Sequence, residues 1–252
     1  MLSAQNVHNQ NTAQATMDSG GYNDGVDEAS LIQLDGLYYQ RGEDTQPYVG
    51  KPWLSNLWSR LYDAIMERWI FPHKFNGLAS THNRYMAEIL AETNKNRVLE
   101  IGTGSGVASN WLDKTSSYRG VDISPALLKI AQKRFSGRGF TDARLYAMEA
   151  VPLPFRSCSF DLCLCILTLN FIEDEIALFR AFHRVLGTGG TFVCCVPVPE
   201  ACGEGVKIRG ALRSESVLRA GLNNCGFSFS ALPYENGALL YFKAVKEGQE
   251  EE

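Results

Sequence analysis

Several chemistries lack their usual spacing in this 252-residue chain. None of its 7 cysteines falls in a Cys-x-x-Cys pair, which removes the ordinary pattern of a zinc site or a redox dithiol. No glycine loop runs into Gly-Lys-Ser/Thr, so a P-loop is excluded. The longest apolar run, Leu162 to Ile172 with Thr168 and Asn170 inside it, is too short to span a bilayer. The first thirty residues carry neither a basic n-region nor an apolar h-region, so they do not read as a secretory signal, and a cytoplasmic location is expected. Positive charge is also scarce. With 24 Lys and Arg against 28 Asp and Glu, the net charge of -4 argues against a protein that lives on nucleic acid, though it leaves room for a local basic patch.

What is present is an ordinary globular balance, 45% hydrophobic and 21% charged, long enough to bury one core without disulfides. Residues 1–30 are polar and poor in aliphatics, the composition of a disordered tail, and the closing Glu-Gly-Gln-Glu-Glu-Glu reads as a second, acidic tail over 247–252. Residues 31–96 are expected to form an N-terminal helical extension or lid. Within it, apolar residues recur at three and four from Trp53 to Phe71, with Pro52 at the start and Pro72 as the stop, and a second helix spans about Ser80 to Ala91.

From 97 to 246 short apolar runs alternate with helical patterns, the signature of a mostly parallel sheet with crossover helices. Seven strands are expected: Val98 to Ile101, Tyr118 to Asp122, Ala143 to Met148, Phe160 to Leu167, Thr191 to Val196, Gly226 to Leu232 and Ala238 to Val245. Ser124-Pro125 opens a helix that Gly137 stops, and Ser214 opens one that Gly226 ends. Asn236-Gly237 predicts that the last two strands form an antiparallel hairpin.

The most informative stretch is Val98-Leu-Glu-Ile-Gly-Thr-Gly-Ser-Gly106. Three glycines after an apolar strand let the chain turn tightly and let a ligand approach where a Cβ would collide. A dinucleotide loop places its third glycine three residues after the second, whereas Gly106 follows Gly104 by two. The stretch resembles motif I of the class I S-adenosylmethionine-dependent methyltransferases, E/D-x-G-x-G-x-G. Three further resemblances follow in that family's order. Gly120-Val-Asp-Ile-Ser124 puts a carboxylate at the tip of the next strand, where an ionised Asp122 suits two ribose hydroxyls. Met148-Glu149-Ala150 with Leu153-Pro-Phe155 is similar to G-D-A-x-x-L-P-F, with Glu where Asp is usual. Ser159-Phe-Asp161 and Arg184-Val-Leu-Gly-Thr-Gly-Gly190 resemble S-F-D and R-V-L-K-P-G-G.

The resemblance implies a Rossmann-like, doubly wound α/β fold, S-adenosyl-L-methionine as cofactor, and a contact set of Glu100, Gly102, Thr103, Gly104, Gly106, Asp122, Ile123, Glu149, Ala150 and Leu167. Glu100 has two readings, organiser of the cofactor's methionine end or a strand-end acid satisfied by the fold. The implied activity is methyl transfer to a metabolite or lipid-like small-molecule acceptor, without nucleic acid, stable membrane insertion or a metal. The other reading is a catalytically inactive module on the same fold. No residue stands out as catalytic, since in-line methyl displacement needs positioning above all. Neither the N/D/S-P-P-Y/F of amino-methylating nucleic-acid enzymes nor the Pro-Cys of cytosine C5 enzymes occurs. Cys163, Cys165, Cys194 and Cys195 are expected to pack in the core. His73, His82 and Tyr85 are candidates for a base or for the acceptor pocket.

Overall fold

A computed structural model describes residues 25–26, 31–41, 61–234 and 237–248. The expected tail over 1–30, the segment 51–60 of the first helix, Asn236 and the acidic end beyond Gly248 lie largely or wholly outside them.

Among the described residues nine strands form one sheet, in the order β1-β2-β5-β4-β3-β6-β7-β9-β8. Seven match the expected set: β3 (Arg97–Ile101), β4 (Ser117–Asp122), β5 (Ala143–Ala147), β6 (Phe160–Ile166), β7 (Leu186–Pro197), β8 (Phe227–Leu232) and β9 (Leu239–Lys246). β5, β4, β3, β6 and β7 are parallel, while β9 and β8 close one edge as the antiparallel hairpin. The chain runs outward from β3 through β4 to β5, then crosses back to β6 and β7. Strand order therefore reverses between β3 and β6, and an open α/β sheet binds ligands at that crevice.

The other two strands correct the helical expectation for 31–41. β1 (Leu31–Leu34) and β2 (Leu37–Gln40) form an antiparallel hairpin, and β2 adds to the β5 edge with Tyr38 stacked on Tyr146 at 5.1 Å. Its two-residue turn is Asp35-Gly36, with φ of 52° and 75°, the left-handed pair a tight hairpin requires.

The helical run on the N-terminal side consists of α1 (Tyr62–Ile65), a π-helical turn over Met66–Ile70 and α2 (Phe71–Lys74), followed by α3 (Ala79–Ala91). Pro72 does not stop this run as expected. A proline ring collides with the carbonyl one turn earlier, and here a widened π turn occupies that position. α4 (Pro125–Gly137) starts at Ser124, whose Oγ accepts from Leu127 N at 3.4 Å. Gly137 is its last residue, and the left-handed residue that ends it is Gly139, φ 82°. α5 (Glu175–Val185) is capped by Asp174, and α6 (Glu215–Asn224) by Ser214. Two crossovers lack the expected α-helix: the β3–β4 link holds one 3-10 turn, Val107–Asn110, and residues 148–159 link β5 to β6 without one. The Arg184–Gly190 stretch that resembles R-V-L-K-P-G-G runs from the end of α5 into β7, where pairing jumps from Leu186 opposite Phe160 to Thr191 opposite Leu162.

Alternation along the strands sorts the core onto the two faces of the sheet. Cys163, Cys165 and Cys194 pack with Phe179, Phe182 and Leu222 of α5 and α6. Leu162, Leu164 and Cys195 face the other layer, with Met86 of α3 and Leu128 of α4. The four cysteines are buried, and burial pushes the thiols of Cys163, Cys194 and Cys195 up, as expected for small core hydrophobes. Arg119 is buried whole, and its guanidinium is held by Asp142 Oδ1 at 2.8 Å. No helix among the described residues is long and apolar enough to cross a membrane.

Candidate active site

The C-terminal ends of β3, β4, β5 and β6 open onto one cavity of about 900 Å³. The glycine loop forms its floor. Gly102 N and Thr103 N donate to Val121 O at 2.8 and 3.1 Å, which folds the loop across the tip of β4. Gly102 takes φ 78°, and a Cβ there would lie 2.0 Å from Thr168 Oγ1. Gly104, φ 54°, faces Tyr62, and its nearest neighbours to a Cβ are 3.8 to 3.9 Å away. Space is therefore kept on the cavity side of the loop. Gly106 serves the fold: its Cβ would meet Ala131 of α4 at 2.8 Å, so the glycine lets loop and helix touch.

Asp122 stands at the tip of β4 with Oδ2 accepting from Gly104 N and Oδ1 from Ser124 N, each at 2.8 Å. Burial raises its pKa, against the pull of those two amides. A carboxylate has about four lone-pair sites, so both oxygens keep acceptor capacity for a ligand. Ile123, Glu149, Ala150 and Leu167 line the same cavity as Gly102, Gly104 and Asp122.

Three residues of the expected set do not line it. Glu100 is buried beneath the loop and accepts a short hydrogen bond from the Tyr118 hydroxyl. Burial pushes its carboxyl up to about 8, the Tyr118 bond opposing and the nearby Asp122 charge adding. Thr103 turns into the interior, its Oγ1 3.1 Å from the Tyr118 hydroxyl, and Gly106 lies against α4. Gly120 makes this nest possible, because a Cβ there would fall 2.5 Å from Thr103 Oγ1.

Of the motif residues outside the cavity, Arg184 braces a segment beside it, whereas Asp161 ties β3 to β6 at the ends opposite the cavity. Arg184 donates to Phe155 O at 2.6 Å and Leu153 O at 2.8 Å, tying down the segment that follows Glu149-Ala150. Asp161 grips Arg97 through two side-chain bonds of 2.9 and 2.5 Å. At the end of β6, Leu167 takes a left-handed φ of 54° and donates to Cys195 O at 2.7 Å. That conformation strains a leucine and turns Thr168 back toward the glycine loop.

His82, His73 and Tyr85 do not line the cavity. His82 is a core residue with Nδ1 2.7 Å from the Tyr241 hydroxyl, and burial lowers its pKa to about 4. Tyr85 donates to Pro233 O at 2.5 Å, and His73 lies exposed against Trp69. The side chains that do close the cavity come from elsewhere. Tyr62 reaches over Gly104, and burial followed by the nearby Asp122, Asp63 and Glu100 charges raises its phenol. Asp63 next to it accepts from Ser105 at 2.5 Å and is ion-paired with Arg134 of α4, fastening α1 to the glycine loop. The spacing of the helix shows only that its apolar face is covered, not which face meets the loop.

A volume of about 900 Å³ lies in the range of small-molecule and cofactor sites. The open side of Gly104, the remaining lone pairs of Asp122 and the adjoining Glu149-Ala150 segment fit an adenosyl cofactor bearing a ribose.

Comparison with known proteins gives the same fold. Residues 99–194 match the family model described as "Methyltransferase domain". The chain is 30% identical over 130 residues to sterol 4-C-methyltransferase strm-1 of Caenorhabditis elegans, covering 48% of this chain and 39% of that protein. It is 27% identical over 145 residues to demethylmenaquinone methyltransferase of Thermotoga maritima, covering 56% and 61% respectively. It thus spans less than two thirds of the length of these relatives. Among solved structures, an S-adenosylmethionine-dependent methyltransferase from Clostridium acetobutylicum superposes with a TM-score of 0.60 at 16% identity, over 75% of this chain and 99% of that one.

Proposed function

We propose that this chain, whose residues 99–194 match a methyltransferase-domain family model, is a class I S-adenosylmethionine-dependent methyltransferase that transfers a methyl group to a small-molecule acceptor with an apolar frame. The observation that carries this reading is the mixed lining of one cavity, in which Gly102, Gly104, Asp122 and Glu149-Ala150 share the wall with the apolar side chains Ile65, Met66, Trp69, Phe171 and Ile172. The relatives named for a sterol and for demethylmenaquinone support an apolar acceptor.

When bound, S-adenosylmethionine would supply an electrophilic methyl carbon on a cationic sulfur, with neutral S-adenosylhomocysteine as leaving group and the acceptor's displaced proton going to solvent. The chain's own part is positional. Asp122 receives the ribose hydroxyls, with its carboxylate pre-aimed by the amides of Gly104 and Ser124. Glu149 and Ala150 hold the base, braced through Arg184. Tyr62 and the helical run from Tyr62 to Lys74 act as a lid that excludes water from the reacting atoms.

Calorimetric titration with S-adenosylhomocysteine tests this. The parent is expected to bind, and Asp122→Asn to bind at least tenfold more weakly, since hydrogen bonds to a charged group are worth about 1.5 to 3 kcal/mol. No heat from the folded parent would overturn the reading.

A further inference from the structure

Two carboxyls meet the glycine loop, and the fold stabilises them unequally. Asp122 lines the cavity, and both of its oxygens accept backbone amides, from Gly104 and Ser124 at 2.8 Å each. Glu100 lies beneath the loop, 3% exposed, and its side chain accepts one bond, from the Tyr118 hydroxyl. Among the described residues no Lys, Arg or His hydrogen-bonds or ion-pairs with Glu100. In register it stands between Gly120 of β4 and Leu164 of β6, neither of which can balance a charge. The titratable groups that face it are Tyr118 and Asp122 of β4 and Tyr62 of α1. Arg134 of α4 is engaged by Asp63 and Ser105.

Neighbouring carboxyls with no cation between them resist ionising together. The acid with two amide donors keeps the charge, and the acid in the dry nest with a single phenol keeps a proton. Burial, and then the Asp122 charge against the pull of Tyr118, hold that proton on Glu100 into neutral pH. Glu100 is nonetheless within electrostatic reach of the cavity. The Tyr62 phenol lines the cavity over Gly104, and after burial it is the Asp122, Asp63 and Glu100 charges that raise it. A charge beside Tyr62 therefore feels Glu100 as well, and a positive one favours the ionised carboxyl.

We propose that Glu100 gives the site a preference for the cationic cofactor over its neutral product: it releases its proton to solvent when a positive sulfur enters the cavity, and the carboxylate left behind attracts that sulfur. This rests on the methyltransferase reading of the cavity. Glu100 is a positioning residue that acts by charge, since it does not line the cavity. S-adenosylmethionine and S-adenosylhomocysteine differ by one methyl group and the charge on sulfur, and that charge does not titrate. A tenfold coupling between it and Glu100 lowers the carboxyl by about one unit from about 8.

The test is calorimetric titration of the full chain with each compound, without acceptor, in buffers of different ionisation enthalpy. At pH 7 the parent should release about 0.4 proton more with S-adenosylmethionine than with S-adenosylhomocysteine, and its preference for S-adenosylmethionine should rise about fivefold from pH 6 to pH 8. In Glu100→Gln both differences should vanish while S-adenosylhomocysteine still binds. Tyr118→Phe removes the one donor to Glu100, makes the carboxyl harder to ionise and should move the rise to higher pH; where Glu100→Gln does not fold, this variant decides. Equal proton release with both compounds in the parent, a difference that survives Glu100→Gln, or an unmoved rise in Tyr118→Phe would overturn the proposal. Failure of S-adenosylhomocysteine to bind the parent sinks the methyltransferase reading, whereas normal binding of both compounds with equal proton release sinks only this one.

Discussion

The glycine loop makes two adjacent substitutions differ in kind. Gly102→Ala attacks the fold: φ is 78°, and the new Cβ would sit 2.0, 2.4 and 2.6 Å from three atoms of the Thr168 side chain. A left-handed alanine costs about 1 to 2 kcal/mol, and driving Thr168 aside adds an overpacking cost of about 1 to 3 kcal/mol. Gly104→Ala carries only the first cost, because φ is 54° and nothing lies closer than 3.8 Å to the new methyl. At roughly 2 to 4 °C per kcal/mol for a chain of this size, Gly104→Ala should melt a few degrees below the parent and Gly102→Ala distinctly lower. The methyl at 104 occupies cavity space under Tyr62, so S-adenosylhomocysteine affinity should fall at least tenfold, about 1.4 kcal/mol, in a protein that is still folded. Differential scanning calorimetry and ligand titration on the same samples give both numbers. A Gly104→Ala protein that binds S-adenosylhomocysteine as tightly as the parent would refute the placement of the cofactor over this loop.

Two other perturbations follow from the same geometry. Glu100, pushed up to about 8 from an ordinary 4.5 mainly by burial, binds more protons folded than unfolded. Its contribution is therefore fully present below about pH 4.5 and is lost as pH rises toward 8, at up to about 1.4 kcal/mol per pH unit. In urea unfolding at about pH 6 and pH 8 the parent should lose stability relative to Glu100→Gln, and parallel pH profiles would contradict the burial argument. Asp63→Asn removes the half-exposed pair with Arg134, worth at most about 1 kcal/mol. It should speed amide exchange over residues 62–74 while leaving β3, β4 and β6 protected, and uniform acceleration would mean that this run is not a separate lid.

The parts of the site that were legible in sequence are those carried by short contiguous patterns. Gly102, Gly104, Asp122, Ile123, Glu149, Ala150 and Leu167 come within one cavity because four neighbouring strand tips and their loops bring them there. Glu100 and Thr103 alternate inward along the chain at the loop's entry, and a pattern of residue types does not say which side of a loop each one faces. Asp35-Gly36 between apolar residues was a readable hairpin signal, obscured by a helical reading of the whole extension. The Lys207–Arg209 segment, which also lines the cavity, had no readable signal. It is an irregular stretch placed by tertiary bonds from Asn170 and Arg213, which no local periodicity encodes. His82 fits the spacing of α3 equally well as a core or a site residue, and only the Tyr241 partner from β9 decides it.

The central claim is catalytic methyl transfer, and incubation with S-adenosylmethionine tritiated on the methyl group tests it most directly. The protein is mixed with an organic-solvent extract of small molecules, and the label is followed into the extractable fraction. Parent protein should move label into a discrete small molecule, with Gly104→Ala strongly reduced. Tight binding of S-adenosylhomocysteine together with no label in any small-molecule fraction would contradict the account and leave a binding module on a methyltransferase fold.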